Sequence, residues 1–202
     1  MKKPKIICLA GFPCSGKDTV GSIISKKYGY EMVAFGNTLK QICADIRLKN
    51  YAPVISFMVN ELGLSGEDAM NRVWNYRQLP CYDKKDRLLL QTLGTDFRKI
   101  RDDIWVRPVR EYANTHGCVI TDCRRKFELN SFPEAIKIFI DVPDHIIYER
   151  LKKRDGYYDV DILTRESEIE IPELKDMCHY VIDNSRTIEE LDKQVISIFE
   201  KE

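Results

Sequence analysis

Net charge is the first thing this sequence lacks. Across 202 residues, 32 Lys and Arg are balanced by 32 Asp and Glu. A neutral chain presents no broad positive field, which argues against nucleic acid or an anionic membrane as a partner. Any phosphate must be met by a few placed cations. Long apolar runs are missing too. No segment reaches the roughly eighteen residues of a membrane helix, and "IICLAG" near the N-terminus is shorter than a signal-peptide core. There is no CxxC pair. The seven cysteines, at 8, 14, 43, 81, 118, 123 and 178, are odd in number and scattered, which argues against a disulfide framework and for reduced thiols in a cytoplasm. His116, Cys118 and Cys123 lie close together. Cys118 falls inside an apparent strand, where a small buried hydrophobe is the ordinary reading, so no zinc is expected there. Histidine is scarce, 3 in all, and none stands beside a motif as a base. The expectation is a soluble, cytoplasmic protein.

What is present is enough for one domain over residues 1–202, with a hydrophobic content of 44% to build its core. "KIICLA" is a short apolar run ended by glycine and predicts a buried strand. "DTVGSIISKKYG" places Val20, Ile23 and Ile24 at helical spacing and stops at Gly29, a C-cap. "EMVAF" predicts a second strand. "NTLKQICADIRLKN" carries Leu39, Ile42, Cys43 and Ile46 at helical spacing, and residues 53–113 read as mostly helical, interrupted near "QLPCYDKKD". "GCVITD", "AIKIFIDV" and "HYVIDN" predict three more strands. A helix follows from about Asp144 to Arg154. The last helix opens with Thr187 and Glu190 spaced as a capping box. Strands alternating with helices predict an α/β fold with a parallel sheet covered on both faces. The polar, acidic stretch at about 155–172 fits either a solvated loop or a lid.

The chemistry is concentrated in "AGFPCSGKDTV", residues 10–20. Gly11, Gly16 and Lys17 stand at the spacing of a phosphate-binding loop, between a predicted strand and a predicted helix. Two glycines let backbone N–H groups curl toward phosphate oxygens, the helix offers its positive end, and Lys17 reaches the terminal phosphates. The whole loop, Gly11, Cys14, Ser15, Gly16, Lys17, Asp18 and Thr19, is therefore the candidate nucleotide-phosphate site. One position departs from the general pattern. The residue after Lys17, which ordinarily supplies a hydroxyl to Mg²⁺, is Asp18, and the hydroxyl comes one residue late at Thr19.

"GKDT" resembles the loop ending of adenylate-kinase-like nucleoside monophosphate kinases, and "SGKDTV" resembles more closely that of phage-type deoxynucleoside monophosphate kinases. Further segments match that family in order. "LLLQTLGTDFRKIRDDIWV", residues 88–106, resembles its Leu-Gly-Thr-acidic segment followed by Asp-x-Trp-Val. "VITDCRRKFEL" resembles its strand ending in Asp-x-Arg, and "CHYVIDNSRTIEEL" resembles its Asp-Tyr-Val-Ile-x-Asn ending. "FGNTLKQ" resembles its Phe-Ala-x-x-Leu-Lys segment, with Gly36 and Asn37 departing from it. The resemblance implies a P-loop kinase fold with a five-stranded parallel sheet, a helical acceptor-binding region over about 36–114 and a lid over about 155–172. It implies ATP and Mg²⁺ as cofactors and a nucleoside monophosphate as the small-molecule substrate. A homodimer is left open.

Roles follow the charges that phosphoryl transfer needs. Lys17 would hold the β- and γ-phosphates. Arg150 and Arg154 are four apart on a predicted helix, hence on one face, and stand where lid arginines act; the plain alternative is a solvated basic face with Lys152 and Lys153. Asp122, at the C-terminal end of a strand, would order Mg²⁺ with Thr19 and Asp18; its plain alternative is a turn cap. Arg124 is the candidate clamp for the acceptor phosphate and Arg125 its competitor. Lys40, Arg98 and Arg101 are further candidates to line the acceptor site. Phe97 and Trp105 read as core rather than as base-stacking residues. A monophosphate acceptor needs no base, because its attacking oxygen is already charged, whereas a hydroxyl acceptor would want a carboxylate. The competing readings are a dephospho-coenzyme A kinase or other small-molecule P-loop kinase, a non-catalytic nucleotide-binding regulator, and a kinase acting on a base within DNA.

Overall fold

The computed structural model describes residues 6–82, 86–156, 163 and 168–200. It divides into two compact units, one formed by Met1–Ala34 with Arg110–Glu202 and the other by Phe35–Val109. The expected lid falls mainly on residues 157–162 and 164–167, which lie outside the described residues.

The first unit is built on five parallel strands: β1 (Ile6–Ala10), β2 (Glu31–Val33), β3 (Cys118–Cys123), β4 (Ile136–Asp141) and β5 (Tyr180–Asp183), in the order β2-β3-β1-β4-β5. This is the parallel α/β sheet that the alternating pattern predicts. β1 is central and all five of its residues are buried, which is why it reads as a continuous apolar run rather than an alternating one. α1 (Lys17–Tyr28) and α10 (Ile188–Phe199) supply Val20, Ile24, Leu191 and Val195 to the core formed with Ile7, Leu9, Ile138 and Ile182. α1 ends at Gly29, whose φ of 75° sends its N–H back to Ser25 O at 2.9 Å. Of the capping box expected on α10 the Thr187 half is present: Glu190 N donates to Thr187 Oγ1 at 3.3 Å. α8 (Asp144–Asp155) follows β4 and ends on Gly156. β2 is shorter than "EMVAF" suggests, because Phe35 already takes helical backbone angles.

The second unit is helical. It contains α2 (Gly36–Arg47), α3 (Tyr51–Leu62), α4 (Gly66–Arg77) and α5 (Arg87–Ile100), and the division between units falls within α6 (Val106–Ala113). Ser65 caps α4 by accepting from Asp68 N. Phe97 and Trp105 are core, as expected, with rings stacked at 5.5 Å and Phe57 at 6.2 Å from each. The indole N–H of Trp105 donates to Gly94 O at 3.3 Å, so "LGTD" and "DIWV" meet in this core. Asp96 of the first motif accepts from the Tyr76 hydroxyl at 3.1 Å.

Candidate active site

The loop after β1 turns because three of its residues take positive φ: Gly11 at 144°, Cys14 at 58° and Gly16 at 100°. Two of these positions are closed to any side chain. A Cβ on Gly11 would lie 2.7 Å from Ile140 O and 2.8 Å from Ser15 Oγ. A Cβ on Gly16 would lie 2.1 Å from Asn184 Nδ2. The turn closes through Ser15 N to Phe12 O at 3.1 Å, and α1 begins with Val20 N to Gly16 O at 3.0 Å. The first N–H groups of α1 are those a helix leaves without an intrahelical partner, and they follow the loop directly.

Lys17 is 7% exposed, and its Nζ donates to Gly11 O and Phe12 O, both at 2.7 Å. Burial lowers its pKa to about 8, with the Arg124 guanidinium adding to the shift. The Glu168, Asp18 and Asp122 carboxylates oppose it. These groups thus share one electrostatic neighbourhood. Asp18 and Thr19 are exposed in the first turn of α1, where an acidic residue complements the helix dipole. Ser15 is 1% exposed, and its Oγ has no hydrogen-bond partner among the described residues. A buried hydroxyl of this kind, set between glycines that admit no side chain, fits a polyphosphate oxygen.

Asp122 owes its position to a register shift. Ile6, Ile7 and Cys8 of β1 face Cys118, Val119 and Ile120, but Ala10 faces Cys123, so β3 carries one extra residue at Thr121–Asp122. Such a bulge re-aims a side chain at a strand's end. Just beyond it, the backbone N–H groups of Arg124 and Arg125 donate to Glu128 Oε2 at 2.7 and 3.1 Å. The Arg124 guanidinium donates to Glu168 Oε1 at 2.5 Å.

Arg150 and Arg154, expected on one helical face, make different contacts. Arg150 NH1 donates to Cys14 O at 3.2 Å and Ser15 O at 3.4 Å, and its NH2 donates to Asn184 O at 2.8 Å. It braces the outside of the loop. Arg154 is paired with Asp155 at 2.7 Å, and the Asp18 carboxylate also acts on it. Asn184, 7% exposed at the end of β5, donates from Nδ2 to Ser15 O at 2.7 Å. Sequence reasoning passed over Asn184 and Glu168. The Asn ending "VIDN" was the only signal for the first, and the acidic stretch gave none for the second.

Lys40, Arg98 and Arg101 belong to the helical unit. Lys40 is exposed on α2. Arg101 donates to Glu61 O at 2.6 Å and to Asp103 Oδ1 at 3.1 Å, which ties the end of α3 to the turn after α5. Among the described residues, no three His, Cys, Asp or Glu side chains gather as a metal cluster, and no helix is long and apolar enough to cross a membrane.

A family model described as AAA domain matches residues 7–173. A protein of Acanthamoeba polyphaga mimivirus named putative deoxynucleotide monophosphate kinase is 26% identical over 209 residues, covering 95% of this chain and 94% of its own. A dephospho-CoA kinase of Sulfurimonas denitrificans is 27% identical over 198 residues, covering 96% and 92%. Among solved structures, a shikimate kinase from Aquifex aeolicus superposes with a TM-score of 0.51 at 18% identity, covering 97% and 96% of the two chains. The last of these speaks to the fold alone.

Proposed function

Because the chain belongs to the AAA-domain family, whose model spans residues 7–173, we propose that its glycine loop binds MgATP and that the protein phosphorylates a deoxynucleoside 5′-monophosphate to the diphosphate. The observation that carries this reading is the buried Lys17 amine, set in a cradle that only Gly11 and Gly16 fit and surrounded by Asp18, Asp122 and Arg124. The mimivirus relative's name supports the acceptor class, together with the ordered resemblance of "GKDT", "LGTD", "DIWV" and "TDCR" to the phage-type kinases.

Bound Mg²⁺ would neutralise phosphate charge, and Thr19, Asp18 and Asp122 are the residues we assign to it. Lys17 and the α1 N-terminus hold the transferring end, and Arg124 clamps the acceptor phosphate. Arg150 and Arg154 serve this site from α8, Arg150 through the loop's backbone. Lys40, Arg98, Arg101 and Arg125 are assigned to the acceptor. The second reading is a hydroxyl acceptor such as dephospho-coenzyme A. It is favoured by the Sulfurimonas relative and by the carboxylates of Asp122 and Glu168 near Lys17, either of which suits a hydroxyl proton.

A coupled ADP-release screen over ribo- and deoxyribonucleoside monophosphates with MgATP tests the acceptor. Release with deoxynucleoside monophosphates is expected. Release with dephospho-coenzyme A and with no monophosphate would overturn the acceptor and leave the loop's role standing. Within the first outcome, Arg124→Lys keeps the charge but loses the bidentate fork, so kcat/KM for the monophosphate should fall about tenfold while KM for ATP changes least.

The displaced hydroxyl gives a second test. Thr19→Val should raise the Mg²⁺ concentration for half-maximal rate about tenfold, the scale of lost metal-site contacts, and Asp18→Ser should be milder. Titrating Mg²⁺ at fixed ATP decides this, and the reverse ranking would remove Thr19 from the metal site.

A further inference from the structure

The strongest unused feature is a buried carboxylate among the phosphate-site cations. Glu168 is 2% exposed and stands beside Arg124, with Oε1 2.5 Å from NH1. Its charge also acts on Lys17. A buried carboxylate that neutralises two cations is costly to separate from them. The segment carrying it is fastened to the same basic triplet. Lys126 N donates to Glu170 Oε2 at 2.8 Å, and the Lys126 ammonium pairs with Glu173. Ile171 and Leu174 of α9 (Ile171–Leu174) are fully buried. The backbone after Glu168 is thereby pinned.

We propose that Glu168 is an internal competitor for the phosphate site, its carboxylate holding the Arg124 guanidinium beside Lys17 and yielding that place when nucleotide phosphates bind. The inference rests on the loop being the nucleotide site. Glu168 then sets how much anionic ligand is needed before Arg124 is released toward the substrate. A polyphosphate on Lys17 displaces the carboxylate by like-charge repulsion, which frees Arg124 for the acceptor phosphate.

Calorimetric titration of the full chain with ADP tests this. Glu168→Gln keeps a carbonyl oxygen for Arg124 and removes the charge, so ADP should bind about tenfold more tightly, the size of one near opposite charge. Glu173→Gln alters the same latch at an exposed position away from Lys17 and should stay within about twofold of wild type. Where Glu168→Gln does not fold, Glu168→Asp withdraws the carboxylate by one methylene and should still tighten binding, by less. Equal or weaker ADP binding by the folded Glu168 variant would overturn the inference, and so would an equal gain in Glu173→Gln. Wild-type protein that binds no ADP would instead overturn the nucleotide site itself.

Discussion

Replacing Lys17 with alanine is expected to lower turnover roughly 10³-fold while leaving the fold intact. One cation at a transferring phosphoryl group is worth that much, because the transfer relies on positioning and charge rather than on covalent help from the protein. The fold should survive because the Nζ contacts are to the loop's own carbonyls, Gly11 O and Phe12 O, and not to a distant element. The lowered pKa adds a signature that a structural lysine would not give. Phosphates need the charged amine, and the unliganded amine titrates near pH 8. Binding should therefore be pH-independent below about 8 and weaken by up to tenfold per unit above it, with a proton taken up on binding. The same shift has the opposite sign for stability. Between about pH 8 and the ordinary lysine value of 10.5, the unfolded chain holds more protons at this site, so the penalty of burying the charged amine fades as pH rises. ADP titrations in two buffers of different ionisation enthalpy, at pH 7 and 9, check the linkage. A folded Lys17→Ala protein with near-normal turnover, or one that keeps the alkaline weakening, would take Lys17 out of the chemistry.

The elements that were legible in the sequence are those whose causes are local. β1 announces itself by an unbroken apolar run, α1 by Gly29, and α10 by Thr187, because strand burial and helix caps are decided within a few residues. The loop was legible for the same reason: its glycines and lysine fall within residues 11–17, and the glycines' positive φ is a local demand. The rest of the site is made by contacts that no spacing encodes. Asn184 reaches Ser15 across 169 residues, Arg150 reaches Cys14 across 136, and Arg124 reaches Glu168 across 44. The extra residue in β3 at Thr121–Asp122 depends on register with β1 and is invisible in "VITDC" alone. Arg150 and Arg154 lie four apart on α8, but helical spacing does not reveal their partners. Arg150 found three backbone carbonyls and Arg154 its neighbour Asp155. Arg101, a candidate acceptor cation by sequence, has its guanidinium between Glu61 O and Asp103.

Those long-range contacts make Gly16 a position where a single methyl group should do large damage. Gly16→Ala meets two costs. At φ 100° an L-residue is strained, by about 1–3 kcal/mol. Its Cβ would also stand 2.1 Å from Asn184 Nδ2, so the amide must leave Ser15 O, which it contacts at 2.7 Å. Ser15 O then keeps only the long 3.4 Å contact from Arg150 NH1, and the lost hydrogen bond costs about 1 kcal/mol more. Arg150, which holds Asn184 O at 2.8 Å and the loop at Cys14 O and Ser15 O, is pulled with it. ADP affinity should drop about 10²-fold, and unfolding stability by about 2–4 kcal/mol. Asn184→Ala alone removes the tether without the strain and should cost about tenfold in ADP affinity. The two costs can then be separated. In Gly16→Ala/Asn184→Ala the collision is gone and the strain remains, so stability should recover part of the way relative to Gly16→Ala while affinity stays low. Thermal unfolding and ADP titration on the three proteins measure both quantities. Ordinary ADP binding and an unchanged melting temperature in Gly16→Ala would show that the loop does not need this backbone angle or the Asn184 strut behind it.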